Sequence, residues 1–423
     1  MNKTKAQIFG LFLANHRKEK KLSLENIAQL THCSVSAIRN YENGIQLPEF
    51  AQQNKIAQLF GYEKFFDNFN SLHIYRNILK KIETLMYHRK KKEALELLEN
   101  IHQNSSRWKA SYAYMQYYLI CLMEIRYNFK TKEQFNQLIG MLDSGNFLFT
   151  DYEKYIFYEF QGDFYFQKND LYTATIMRKK AYDINPRSLL VNLHLAMQYQ
   201  SLEYQSLSLN HLEYAKKLVF KQPDMYRFLQ ICMLELSYQI EETESYDSIF
   251  ESRYDLYNAC LDACELDLSY EVLSNISYMY LQNKDYINAI SFGKKIIELN
   301  PIPYVNAIWF VPYSYWKIGF YKECNNTIKK VEKAATSKSY IGLMLKAVEM
   351  FCLKKRKIGI EILKGIIEEL DQSEDMEKKI FILEWLIEEM IVDQNYEQAH
   401  IYEAEKNRII NRRTSLFFEK DRR

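Results

Sequence analysis

Ser23-Leu24-Glu25-Asn26-Ile27-Ala28-Gln29-Leu30-Thr31-His32-Cys33-Ser34-Val35-Ser36-Ala37-Ile38-Arg39-Asn40-Tyr41-Glu42-Asn43-Gly44, residues 23–44, reads as two short helices across a tight turn. Ser23 is placed to cap the first, because its hydroxyl can accept a free first-turn N–H. Leu24, Ile27, Ala28 and Leu30 supply that helix with an apolar face. Thr31-His32-Cys33 interrupts the pattern, Ser34 caps the second helix, and Asn43-Gly44 ends it. Upstream, Ala6 to Lys20 carries Ile8, Leu11, Phe12 and Leu13 as a helical stripe, followed by Arg17, Lys18, Lys20 and Lys21. Two short helices preceded by a third is a geometry that can set one of them into a DNA major groove. Ala28, Leu30 and Ile38 are expected in the core. Glu42 is expected to be structural, since a carboxylate beside phosphates is repelled.

Composition extends the helical reading to the whole chain. Across 423 residues there are only 11 Gly and 6 Pro, which disfavours sheet folds rich in tight turns. Hydrophobic residues make up 48%, enough for a large core, and the 34 Tyr and 25 Phe suit packed helix pairs. The fold class is therefore all-α. A net charge of +2 excludes a polycation that coats nucleic acid, yet residues 1–72 hold nine Lys/Arg against six Asp/Glu, a basic bias confined to one end. Seven scattered cysteines fit reduced thiols, and no apolar run is long enough to span a membrane, so a cytoplasmic location is expected.

Beyond residue 70 the chain repeats itself. Gly162-Asp163-Phe164-Tyr165 is followed by Ala174, Ala181 and Pro186, the tetratricopeptide spacing of small residues at a helix crossing and Pro at the exit. Tyr280, Ala289 and Asn300-Pro301 stand in the same register. Looser copies place second helices near Glu93-Ala94, Lys132-Glu133, His211 to Ala215, Tyr257 to Ala259, Tyr321-Lys322, Lys357-Ile358 and Tyr396 to Ala399. Eight or nine helix pairs are expected, stacked as a right-handed α-solenoid whose first helices line a concave groove. Such grooves suit extended peptides. Asn192, Asn275 and Asn306 lie on first helices, where an amide can pair with a peptide backbone of any sequence. Each has a second reading, as a solvated side chain or one satisfying a local turn. Tyr280, Trp309, Phe310, Tyr313 and Tyr315 are candidates for apolar pockets or for core.

The run S-x-E-x-I-A-x-L…S-V-S-A-I-R-N-Y-E-N-G-x-x-x-P, from Ser23 to Pro48, resembles the phage-repressor (Cro/CI, or XRE) helix-turn-helix, and Lys55 to Gly61 resembles its closing helix. Two positions depart from that pattern. His32 stands where the family has Gly, so a left-handed residue is implied there, and Leu24 replaces a phosphate-binding Gln. The resemblance implies a five-helix domain over residues 1–68. In it Val35, Ser36 and Asn40 would read bases, while Arg39, Asn43 and Gln46 would contact phosphates.

Taken with the repeats over 69–423, the layout is similar to that of the Rgg/PlcR/PrgX (RNPP) regulators. That similarity implies a homodimer on double-stranded operator DNA, controlled by a short signalling peptide in the groove. Asn192, Asn275, Asn306, Tyr280, Trp309 and Tyr313 are the candidate peptide contacts. A ligand-independent repressor whose repeats serve dimerisation or a protein partner is the alternative, and a helical adaptor is a third. The sequence carries no phosphate-binding, dinucleotide, zinc-protease or nucleophile-elbow motif, so neither an enzyme nor a cofactor nor a metal is expected. Cys260 and Cys264, four apart, are expected as buried free thiols on one helix face.

Overall fold

A computed structural model describes residues 2–126, 132–168, 170–202, 204–238, 246–299, 307–332, 340–370 and 376–420. Among them there are 23 α-helices, a few short 3-10 turns and one isolated β-bridge between Phe66 and Ser111. The chain divides into two compact units, Met1–Pro186 and Arg187–Arg423.

The first unit opens with α1 (Asn2–Glu19), α2 (Leu24–Thr31), α3 (Val35–Glu42) and α4 (Phe50–Leu59). It continues through α5 (Leu72–Tyr87), α6 (Lys91–Gln103), the short α7 (Ser105–Lys109), α8 (Tyr114–Met123), α9 (Lys132–Asp143), α10 (Asp151–Gln167) and α11 (Leu171–Ile184). Four helices precede residue 68. That is one fewer than the five expected there, because α5 begins only at Leu72 and opens the first helix pair.

The second unit runs from α12 (Leu189–Ser201) and α13 (Gln205–Lys221) through α14 (Met225–Tyr238), α15 (Tyr246–Asp262), α16 (Leu266–Gln282) and α17 (Tyr286–Leu299). It closes with α18 (Ala307–Lys317), α19 (Tyr321–Val331), α20 (Tyr340–Cys352), α21 (Arg356–Leu370), α22 (Met376–Val392) and α23 (Tyr396–Lys420). With α5/α6, α8/α9 and α10/α11 in the first unit and α12/α13 to α22/α23 in the second, nine helix pairs are present among the described residues. The second helices α6, α9, α19, α21 and α23 begin where the repeat spacing put them, whereas His211 to Ala215 falls in the middle of α13 and Tyr257 to Ala259 near the end of α15.

Small residues bring paired helices together. A Cβ on Gly162 of α10 would lie 2.7 Å from Arg178 Cγ of α11, and Ala174 and Ala181 are wholly buried at that crossing. The turn inside a pair recurs in the same backbone form. Arg89, Lys284, Gly319, Lys354 and Gln394 all have φ between 57° and 80°. In each case the next residue's N–H donates back across the turn, as Lys90 to Leu85 O (2.9 Å) and Lys355 to Met350 O (2.8 Å). This closure satisfies carbonyls that a helix end leaves unpaired.

The aromatic content packs these pairs. Trp309, Tyr313, Trp316, Phe351, Phe381 and Trp385 form a continuous ring-to-ring cluster joining α18, α20 and α22. Among the described residues no helix is long and apolar enough to cross a membrane. Cys260 is buried, whereas Cys264 lies beyond the end of α15, exposed and with φ 58°, so the two thiols do not share a helix face. The helix stops two residues short of Cys264.

Candidate nucleic-acid interface

The bihelical turn is built from its caps. Ser23 Oγ accepts from Asn26 N (3.1 Å) while Ser23 N donates to Asn26 Oδ1 (3.0 Å), a reciprocal cap on α2. Ser34 Oγ accepts from Ala37 N (3.1 Å) at the start of α3. Between them His32 takes φ 55°, ψ 43°, which lets Cys33 N donate to Ala28 O (2.9 Å). From α4, Gln52 Nε2 donates to Thr31 O (3.2 Å) and Cys33 Sγ (2.9 Å), clamping the turn.

Ile27, Ala28 and Ile38 are core as expected, but Leu30 is 58% exposed. The reason is helical phase. Thr31 follows Ile27 by four residues and Ala28 by three, so it takes the inward place and donates to Ile27 O (2.7 Å). Leu30 then points outward.

α3 is held from behind by α1. Arg17 grips Glu42 with two bonds of 2.7 Å, Nε to Oε2 and Nη2 to Oε1, and also donates to Leu22 O. The Glu42 carboxylate beside it raises the Arg17 pKa further. Gly10 is a second constraint, since a Cβ there would stand 2.6 Å from Glu42 O and 2.7 Å from Tyr41 O. Only glycine allows backbone to meet backbone at this crossing.

α1 and α4 are in turn seated on the first helices of the repeat array, inside the same unit. Phe9 and Phe12 meet Phe65 edge-on, and Phe12 and Phe65 reach Tyr114 and Tyr112 in the same way. Gln53, 3% exposed, donates to Pro48 O (2.9 Å) and accepts from Tyr112 OH (3.1 Å). It thus ties the loop after α3 to the array. His16 is buried between Phe12, Phe60, Tyr62 and Tyr114. Its Nδ1–H donates to Phe12 O (2.9 Å), which leaves Nε2 to accept from Tyr62 OH (2.8 Å). Burial lowers the His16 pKa and pushes that of Tyr62 up to about 12.

This scaffold presents Ser36, Arg39, Asn43 and Gln46 exposed, with Val35 and Asn40 half-buried. Positions 36, 39, 40 and 43 share one helical face by their spacing. The composite is a short helix with a free outer face, backed by an ion pair and a glycine contact.

The candidate peptide residues are dispersed over the second unit. Asn192 is 1% exposed; its Nδ2 donates to Ser188 O (2.8 Å) and its Oδ1 pairs with His211 Nδ1 (2.9 Å). Trp309, Phe310, Tyr313 and Tyr315 are buried in the aromatic core, while Tyr280 is half-buried and stacked between Phe250 and Phe292. Asn275 is exposed on α16. Asn306 lies outside the described residues, as do Asn300 and Pro301. Sequence reading missed Gln53 and Gly10. A glycine interrupting an amphipathic helix was the available signal for the second; a Gln on α4 carries none.

Residues 8–63 match the family described as a helix-turn-helix domain. No curated protein matches the chain. Among solved structures the fold is shared with a Rap protein complexed with competence and sporulation factor (TM-score 0.66, 14% identity, covering 81% of this chain and 99% of that one). It is also shared with the apo form of the quorum sensor NprR from B. thuringiensis (TM-score 0.57, 14% identity, 79% and 98%). NprR in complex with its cognate peptide NprX gives a TM-score of 0.51 at 13% identity, over 76% and 99%. A helix-turn-helix domain followed by this repeat fold is the layout that the resemblance to peptide-sensing regulators implies.

Proposed function

We propose that the chain is a cytoplasmic transcriptional regulator that binds operator DNA as a homodimer and is controlled by a short signalling peptide. Residues 1–68 are the DNA-reading module, and residues 69–423 bind the peptide and form the dimer. Val35, Ser36 and Asn40 read base edges, and Arg39, Asn43 and Gln46 hold phosphates. Asn275 and Tyr280, which keep accessible surface, are the first peptide contacts to test, with Asn306 beside them in the sequence pattern. Trp309 and Tyr313 support the groove wall from within the core, and Asn192 fixes the α12/α13 pair. Peptide binding biases the packing of the pairs, and thereby the spacing of two DNA-reading modules.

The observation that carries this reading is the seating of α1 and α4 on the array through Phe12, Phe65, Gln53 and Tyr112. A DNA-reading module tethered by a loose linker would not feel what the repeats bind. Selection of binding sites from random duplex DNA by the purified chain tests the first half. A two-fold symmetric site with half-sites about one helical turn apart is expected. Binding with no sequence preference would contradict it. The engagement of Asn192 within its own helix pair favours a second reading, a ligand-independent repressor whose repeats serve dimerisation or a protein partner.

A further inference from the structure

A cleft of about 360 Å³ lies in the first unit, where α1, the 3-10 turn Phe69–Ser71, α5, α8 and the segment entering α10 meet. This is within the size range of small-molecule sites. Ile8, Phe69, Leu72, Met115 and Phe149 give it apolar walls. Gly145 allows the close approach behind it, since a Cβ there would stand 2.7 Å from Leu11 Cδ1 of α1.

Its polar floor is organised around Glu153, whose side chain is fully buried. Glu153 accepts from Arg76 Nε (3.0 Å), Gln116 Nε2 (2.7 Å), and Thr150 N and Oγ1 (2.8 Å each). The carboxylate is thus saturated and its charge is matched by Arg76. Only an amide nitrogen can donate to a carboxylate, so the orientation of Gln116 is fixed and Oε1 is the group left over. Gln116 lines the cleft and is 5% exposed, and its Oε1 has no hydrogen-bond partner among the described residues. A buried acceptor without a donor is unfavourable, and an incoming N–H would relieve it.

We propose that this cleft binds a small uncharged molecule with an apolar body and an amide head, whose N–H donates to Gln116 Oε1 and whose carbonyl faces the outer N–H groups of Arg76. The charge state follows from the floor. A carboxylate would meet the Gln116 oxygen and the Glu153 charge, whereas an ammonium would find the Glu153 carboxylate already holding five donor groups, Arg76 Nη2 (3.5 Å) included. Thr4 and Ile8 belong to α1, and Arg76 and Gln116 to α5 and α8. An occupant therefore braces the DNA-reading segment against the array, independently of any peptide in the repeats.

Titration of the full chain with phenylacetamide, phenylacetate and phenethylamine, followed by ligand-observed NMR, tests the site. Phenylacetamide is expected to saturate one site, with the two ions at least about tenfold weaker, the effect of one hydrogen bond lost in an enclosed site. Gln116→Met should weaken the amide about tenfold, and Leu148→Trp, which fills the cleft from its rim, should abolish binding. Hydrogen exchange on the unmutated protein gives a second readout that needs no variant, since phenylacetamide should slow exchange in α1 and α8. Equal binding of all three probes, no binding of the amide, or binding without protection of α1 and α8 would overturn the proposal.

Discussion

Asn40 is the side chain of α3 that can both donate to and accept from one base edge, and it lies on the same face as Arg39 and Asn43. Asn40→Ala should cost about 1–3 kcal/mol on the selected operator and relax discrimination at one base pair. Arg39→Ala should weaken all sequences alike and reduce the salt slope by about 1, because a phosphate contact carries no sequence information. Filter or anisotropy titrations at several salt concentrations separate the two effects. The outward placement of Ser36, Arg39 and Asn43 was legible because helical phase fixes which groups face away from the core. The supports behind them were legible only in part. Glu42 reads as structural from its charge, but its partner Arg17 is 25 residues away and no local pattern names it. His16 is a further case, a buried neutral imidazole whose pKa lies below its ordinary 6.5. The unfolded chain therefore binds more protons between that lowered pKa and 6.5. The contribution to stability is full above about 6.5 and is lost as pH falls toward the folded value. Urea denaturation at a series of pH values should show this acid-side loss in the native sequence. In His16→Gln it should be absent.

Turns inside the helix pairs show where a sequence hides a regular structure. Gly319 announces its left-handed turn, but Arg89, Lys284, Lys354 and Gln394 adopt the same backbone with ordinary side chains. A residue with a Cβ pays about 1–2 kcal/mol in that conformation. Lys354→Gly and His32→Gly should therefore each raise stability by about 0.5–1 kcal/mol in chemical denaturation, once the greater chain entropy of glycine is subtracted. A loss of stability at either site would mean that the side chain, not the backbone, decides the turn. Gly10 carries the opposite expectation. Its Cβ would enter the carbonyls that end α3, so Gly10→Ala should destabilise by about 1–3 kcal/mol and weaken operator binding in parallel. Leu30 illustrates the limit of apolar counting in a helix of eight residues. The inward stripe has room for Ile27, Ala28 and Thr31, and the larger apolar residue is left outside.

Most of the helix pairs and the N-terminal bihelical turn were legible in the repeat spacing and the capping residues, because several pairs share a small-residue crossing such as that of Gly162 and Ala174. What the repeats bind did not follow from it. Asparagine and aromatic side chains at similar positions along first helices have different fates, Asn192 bound within its pair to Ser188 and His211 and Asn275 exposed, according to the side chains that the paired helix brings beside them. The seating of α1 and α4 on Tyr112 and Tyr114 was equally hidden, since aromatic residues are spread along the entire chain. That seating packs α1 and α4 with the first repeats inside one unit, and in the proposed function it is how peptide binding would reach the DNA-reading helices. The most direct test is to incubate the immobilised full chain with spent culture medium, identify any retained peptide by mass spectrometry, and titrate it against the protein with and without selected operator DNA. The account predicts one short peptide that saturates one site per chain and changes operator affinity, with Asn275→Ala weakening the peptide and leaving DNA binding intact. Retention of no peptide, with operator binding preserved, would contradict it and point to a repressor that answers to a protein partner.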